Sequence, residues 1–112
     1  MKIEIFVCTT KLVHDLSYMT YEEKQNLEAL EITKVKLIKL FSGLTITPNQ
    51  KGFWLNEKQE IETDNVETWL IYTSTKEYSK LRLDLDNILA EIKRITAQQT
   101  QAYTIDNEIK FI

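Results

Sequence analysis

The chain is predicted to fold as one α+β domain of ferredoxin-like order, β–α–β–β–α–β, in which an antiparallel sheet carries both helices on one face. Three observations carry this. Residues 2–8, KIEIFVC, alternate with period two, the pattern of a strand with one face in the core. Two longer segments, 21–41 and 75–97, each hold one apolar stripe, so each needs a single sheet face. Short β-rich runs lie between them. A sheet with both helices on one side satisfies all three.

In the first strand Ile3, Ile5 and Val7 share one face, and Lys2, Glu4 and Phe6 the other. Residues 9–19 show no period and read as a loop. Thr20 with Glu23 has the spacing of a capping box, which satisfies backbone N–H groups of the first helical turn. Leu27, Leu30, Leu37, Ile38 and Phe41 then fall on one face, interrupted by Lys34. Acids come early (Glu22, Glu23, Glu28) and lysines late (Lys34, Lys36, Lys39), an order that suits the helix dipole. Ser42-Gly43 supplies the stop.

LTIT (44–47) reads as a short strand, PNQKG (48–52) as a turn and FWLN (53–56) as the returning strand. EKQEIETDN (57–65) reads as an acidic connector. VETWLIYTS (66–74) has apolar residues on both faces, which suggests a strand inside the sheet. Ser74 with Glu77 repeats the capping spacing. The second helix follows, with Tyr78, Leu81, Leu85, Ile88, Leu89, Ile92 and Ile95 in register and Leu83 off the stripe. QAYTIDNEIKFI reads as a last strand, or as a hairpin turning at Asp106-Asn107, since both residues tolerate positive φ.

At 112 residues, 43% hydrophobic and 28% charged, the chain fits one domain, 1–112, with no internal boundary, repeat or low-complexity tract. A chain of this size buries roughly 60–70% of its unfolded surface, enough for one core. A net charge of −3 disfavours non-specific nucleic-acid binding. With one cysteine no intramolecular disulfide forms, and no apolar run reaches the length of a membrane span or signal segment. The cytoplasm is the expected compartment.

Catalytic patterns are sparse. His14-Asp15 is the one place where a histidine neighbours a carboxylate, and Cys8 ends the first strand nearby. Together with Tyr18 they could line a pocket between the sheet and the 9–19 loop, with His14 as a base. Adjacent residues rarely orient each other that way, however, and a buried cysteine usually acts as a small hydrophobe. One histidine and one cysteine do not make a zinc site, and LDLDN (83–87) lacks the glycine turn and distal glutamate of a calcium loop. Neither glycine lies in a phosphate-binding loop. No metal and no cofactor is expected. The acidic connector reads as a solvated loop rather than a mimic of a phosphate backbone.

The aromatic residues say more. Two helices cover one sheet face, and the alternation sends some large rings to the other. Phe6, Trp54, one of Trp69 or Tyr72, and Tyr103 are the candidates for that uncovered face. A large apolar patch facing water usually marks an interface; the alternative is that the 9–19 loop or a C-terminal hairpin covers it.

FSGLT (41–45), GFW (52–54), Asp64 and VETWLIYTS together resemble small bacterial and mobile-element proteins. In these a helix ends in Phe-Gly-Gly, and a threonine strand, a Gly-x-Trp turn and a later glutamine follow. Here Ser42 replaces the first glycine, and Gln98 or Gln99 is the glutamine. The resemblance spans residues 37–105. It implies the ferredoxin-like topology and brings no activity with it.

The sequence therefore points away from an enzyme and toward a protein-interaction module. Its partner is expected to be a second copy or another protein, and blocking of a host factor by a phage or plasmid product is a special case. The first alternative is a small enzyme or ligand sensor with its pocket near His14. The second is single-stranded nucleic-acid binding by base stacking on sheet aromatics, although the basic groove it needs is missing.

Overall fold

The computed structural model describes residues 1–12 and 19–112. These form β1 (Lys2–Cys8), α1 (Tyr21–Phe41), β2 (Thr45–Leu55), β3 (Ile61–Tyr72), α2 (Thr75–Ile95), β4 (Ala102–Ile105) and β5 (Glu108–Phe111). The sheet order is β2-β3-β1-β4-β5, and every neighbouring pair is antiparallel. The ferredoxin-like order thus holds, with a C-terminal hairpin adding a fifth strand. That hairpin turns at Asp106 and Asn107, both at positive φ.

Both helices start as the sequence requires. The Thr20 hydroxyl accepts the Glu23 N–H at 3.1 Å, and the Glu23 carboxylate accepts the Thr20 N–H at 2.8 Å. The Ser74 hydroxyl accepts the Glu77 N–H at 3.0 Å. Helix α1 stops at Ser42, which itself takes the left-handed conformation at φ 67°, and its N–H donates to the Ile38 carbonyl at 2.8 Å. Gly43 has no positive φ, so the serine alone makes the turn.

The core lies between the helices and one face of the sheet. Ile3, Ile5 and Val7 of β1 are wholly buried, as are Trp69 and Ile71 opposite them on β3. Leu30, Leu37 and Phe41 from α1 and Leu85, Ile88, Leu89, Ile92 and Ile95 from α2 complete the same cluster. Leu83 stands exposed, as its off-stripe position implies. In α1 the buried stripe runs through Thr33 rather than Ile38. The Thr33 hydroxyl donates to the Leu30 carbonyl at 2.6 Å, which satisfies it in the core, and Ile38 is left exposed. Lys34 interrupts the stripe because its ammonium lies 5.6 Å from the Trp69 ring centroid and pairs with Glu31 at 2.6 Å.

The centre of the chain departs from expectation. The two short strands read on either side of PNQKG are one strand, β2, with a register shift between Thr47 and Gln50. Pro48 and Asn49 (φ 59°) sit in this bulge of an edge strand, where a missing ladder N–H costs little. The acidic connector is mostly the start of β3. The reversal is confined to the stretch after Leu55, where the Asn56 side-chain carbonyl accepts the N–H groups of Lys58 at 2.9 Å and Glu60 at 3.0 Å. Because β1 pairs with β3 only from Val66 to Tyr72, Lys51–Leu55 and Ile61–Asn65 run on as a two-stranded arm. The radius of gyration of 14.6 Å reflects this extension, against about 13 Å for a compact chain near this size.

Two stability changes follow. Trp69→Ala removes the largest core side chain and should lower unfolding free energy by about 3–5 kcal/mol in urea titration. Ser42→Gly relieves the left-handed serine and should raise it by about 1 kcal/mol in the same measurement.

Candidate functional site

The face of the sheet turned away from the helices is built by strand register. Residues directly opposite in neighbouring strands share a face. One row across it runs Thr45, Leu70, Glu4, Thr104 and Ile109; next to it Thr47, Thr68 and Phe6 line up, and Ala102 pairs with Phe111 beyond the point where β1 and β4 part. Tyr72 stands beside Lys2 at one end, and Val66 beside Cys8 at the other. Farther along the arm the same face holds Asp64 opposite Gly52 and Trp54 opposite Glu62.

These rows settle which aromatics lie where. Trp69 pairs with Ile5 and is 0% exposed, so it belongs to the core and not to the open face. Its indole N–H donates to the Glu67 carboxylate at 2.9 Å. Tyr72, of opposite parity on the same strand, is 68% exposed on the helix-free side. Tyr103 pairs with Ile5 from the other side and packs against the core cluster, so it too leaves the expected patch. Burial, more than the nearby Asp86 and Tyr78, pushes its phenol pKa up. Phe6 is half-buried on the open face, and Trp54 is 48% exposed on the arm. Ile109 and Phe111, absent from the sequence-based candidates, are exposed there as well. The hairpin turn puts them on this face, and its apolar alternation was the available signal.

Asp64 ties the arm to the end of β1. One carboxylate oxygen accepts the Trp54 indole N–H at 2.9 Å, and the other accepts the Thr10 hydroxyl at 3.0 Å. The same hydroxyl accepts the Asn65 N–H at 2.8 Å, and the Thr9 N–H donates to the Asn65 carbonyl at 2.8 Å. The Lys51 ammonium donates to the Asn65 side chain. Alongside lies an open cleft of about 1300 Å³, lined by Thr10, Trp54, Glu62, Asp64, Gln98 and Thr100 among others.

Gln101, and neither Gln98 nor Gln99, is the buried glutamine before β4. Its side-chain amide donates to the Phe6 carbonyl at 2.7 Å and the Ala102 carbonyl at 3.0 Å, just where the β1–β4 ladder ends. Period and composition give no hint of this role, which depends on where two strands part.

Cys8 is buried, with its sulfur 3.6 Å from the Thr10 hydroxyl. His14, Asp15 and Tyr18 lie outside the described residues, and with them the pocket expected around His14. Among the described residues no group of three His, Cys, Asp or Glu is placed to hold a metal ion. No described helix is long and apolar enough to cross a membrane.

No protein-family model matches the chain, and no curated protein matches it. Solved structures do. A phage SAM lyase in complex with S-methyl-5'-thioadenosine superposes with a TM-score of 0.56 at 15% identity, over 99% of this chain and 87% of the other. CutA1 from Oryza sativa gives 0.53 at 14% identity, over 99% and 77%. The divalent cation tolerance protein CutA1 from Thermus thermophilus gives 0.50 at 16%, over 100% and 82%. At these identities the likeness shows the fold, an α+β chain with an antiparallel sheet and two helices.

Removing the Asp64 carboxylate should loosen the arm without unfolding the core. In Asp64→Ala, amide exchange should speed up across 52–64 and stay unchanged in β1 and α2; uniform change would contradict an arm anchored at this residue. Tyr103 gives a pH effect of defined sign. A raised phenol pKa makes its share of stability complete below the ordinary tyrosine value of about 10 and lost as pH rises beyond it. Tyr103→Phe should therefore flatten the alkaline limb of the stability profile.

Proposed function

We propose that the protein is a non-enzymatic interaction domain that self-associates through the helix-free face of its sheet. The observation that carries this reading is the run of bulky side chains on that face. Tyr72, Ile109 and Phe111 are exposed there beside half-buried Phe6 and Leu70, while both helices pack on the other side. Large apolar side chains gathered on one exposed sheet face ordinarily mark an interface. A face-to-face pair would cover these residues on both copies at once, as a two-fold interface requires. Lys2 and Glu4 lie mid-face on β1, 3.5 Å apart, and Glu4 also accepts the Thr104 hydroxyl at 3.1 Å, so the charge between the apolar groups of β3 and β5 is paired within the chain.

Light scattering tests the reading. The wild type should exceed the 13.2 kDa of one chain. Tyr72→Ser combined with Phe111→Ser should halve the assembly's molar mass at equal concentration and leave the far-UV dichroism unchanged. A wild type of single-chain mass at every concentration would remove the reading.

A second reading, of a ligand-binding protein or enzyme, rests on the cleft at the base of the arm. There the Trp54 ring stands beside the Asp64 and Glu62 carboxylates. An aromatic surface beside carboxylates suits a purine ring carrying a positive charge nearby. The fold likeness to a phage SAM lyase makes SAM and S-methyl-5'-thioadenosine the probes to use. Under this reading SAM, whose sulfonium is cationic, should raise the melting temperature of the wild type more than the neutral S-methyl-5'-thioadenosine, and neither should raise that of Trp54→Ser. No shift at millimolar concentration would count against it.

A further inference from the structure

The sheet parts where β1 ends, and the parting leaves a backbone edge without a partner. The Asn65 carbonyl accepts the Thr9 N–H at 2.8 Å, and the Asn65 N–H donates to the Thr10 hydroxyl at 2.8 Å, so Asn65 turns both backbone groups toward β1. Backbone groups alternate in direction along an antiparallel strand. Thr63 and Ile61 therefore turn theirs the same way as Asn65, while Glu62 and Asp64 turn toward β2, opposite Trp54 and Gly52. β1 has stopped by then, and among the described residues nothing bonds to the Thr63 or Ile61 backbone on that side.

This inner edge is one wall of the cleft of about 1300 Å³, and Ala97 to Thr100 with Ala102 form the other. The outer edges of the sheet are guarded in another way. β2 carries Pro48 and a bulge, and β5 has only four residues, both of which discourage pairing. No proline or bulge interrupts Ile61 to Asp64. Its guard is charge. Glu62 and Asp64 are hydrogen-bonded to Asn56, Trp54 and Thr10, yet among the described residues no cation pairs with them. They stand on the helix-free face of the arm, and Lys51, opposite Asn65, stands on the other. Around the whole cleft, four carboxylates face the ammoniums of Lys11 and Lys58.

We propose that an extended peptide of another protein adds to this edge as a strand, in the place β1 would take if it ran on. Running antiparallel to β3, as β1 does, it bonds to Thr63 and Ile61 through every second residue. Those residues stand on the face of Thr63, Phe53 and Ile61, where apolar side chains fit. The residues between them stand beside Glu62 and Asp64, where basic side chains fit. The partner is thus an extended segment of alternating apolar and basic residues. This is independent of the sheet-face pair, and it gives the cleft a peptide in place of a nucleoside.

A fluorescently labelled peptide of alternating lysine and valine, added to the full chain and followed by anisotropy, tests this. It should bind the wild type, and a glutamate-valine peptide of equal length should not. N-methylation of its valines, whose N–H groups face the arm, should weaken binding by about tenfold or more, while N-methylation of its lysines should be tolerated. Thr63→Pro removes the donor on the arm and spares the ladder to β2, and should weaken binding to a similar degree; circular dichroism checks that it is folded. Equal binding of the two methylated peptides, or undiminished binding to folded Thr63→Pro, overturns strand addition. So does an absence of binding at millimolar peptide, and a melting shift with SAM in that case leaves the nucleoside reading standing. Exchange of the Thr63 amide that slows with protein concentration alone would give the edge to a second copy and overturn the peptide partner.

Discussion

The structure depends on a single layer of helices over a sheet whose middle strand is held from both sides. β1 pairs with β3 along its whole length and with β4 over part of it, and its odd-numbered side chains are sealed. Once Ile3, Ile5 and Val7 commit that face to the helices, parity decides the rest of the sheet. Trp69 and Ile71 must join them, and Phe6, Leu70 and Tyr72 must not. A shift of one residue anywhere in the β1–β3 ladder would exchange these sets, which is why the register is so strongly specified. The surface available for function is thus a by-product of how the core is made.

Legibility in the sequence followed the range of the interactions involved. Local chemistry was readable: the two N-caps, the alternation of KIEIFVC, the stripe of α2 and the Asp106-Asn107 turn all act within a few residues. Choosing between Trp69 and Tyr72 was not, because period two separates two faces without saying which one the helices take. That choice is made by pairing with Ile5, 64 positions away in sequence. PNQKG looked like a turn because Pro and Gly usually interrupt strands, yet on an edge strand a bulge absorbs them. Lys34 looked like a break in a stripe until the Trp69 ring was placed beneath it. Ile109 and Phe111 reach the open face through the C-terminal hairpin that turns at Asp106-Asn107.

The arm shows how one local rearrangement changes what a common fold exposes. In the ferredoxin-like layout, strands of matched length leave every sheet residue under a helix or on the open face. Here β2 and β3 outrun β1, so the chain presents apolar side chains on both sides of two unsupported strands. Asp64 and the residues after β1 brace the base, and Asn56 organises the tip. A two-stranded ribbon is marginal by itself, so its persistence depends on these polar ties and on whatever it meets.

The two tryptophans sit in sharply different surroundings, and the molecule thereby carries its own pair of optical reporters. Trp69 lies in the sealed core under the Lys34 ammonium, whereas Trp54 stands half in solvent on the arm with its indole held by Asp64. Emission from the first should be blue and respond to global unfolding; emission from the second should be red and respond to events on the arm. Core integrity and surface encounters can then be followed as separate spectral components in one unlabelled sample.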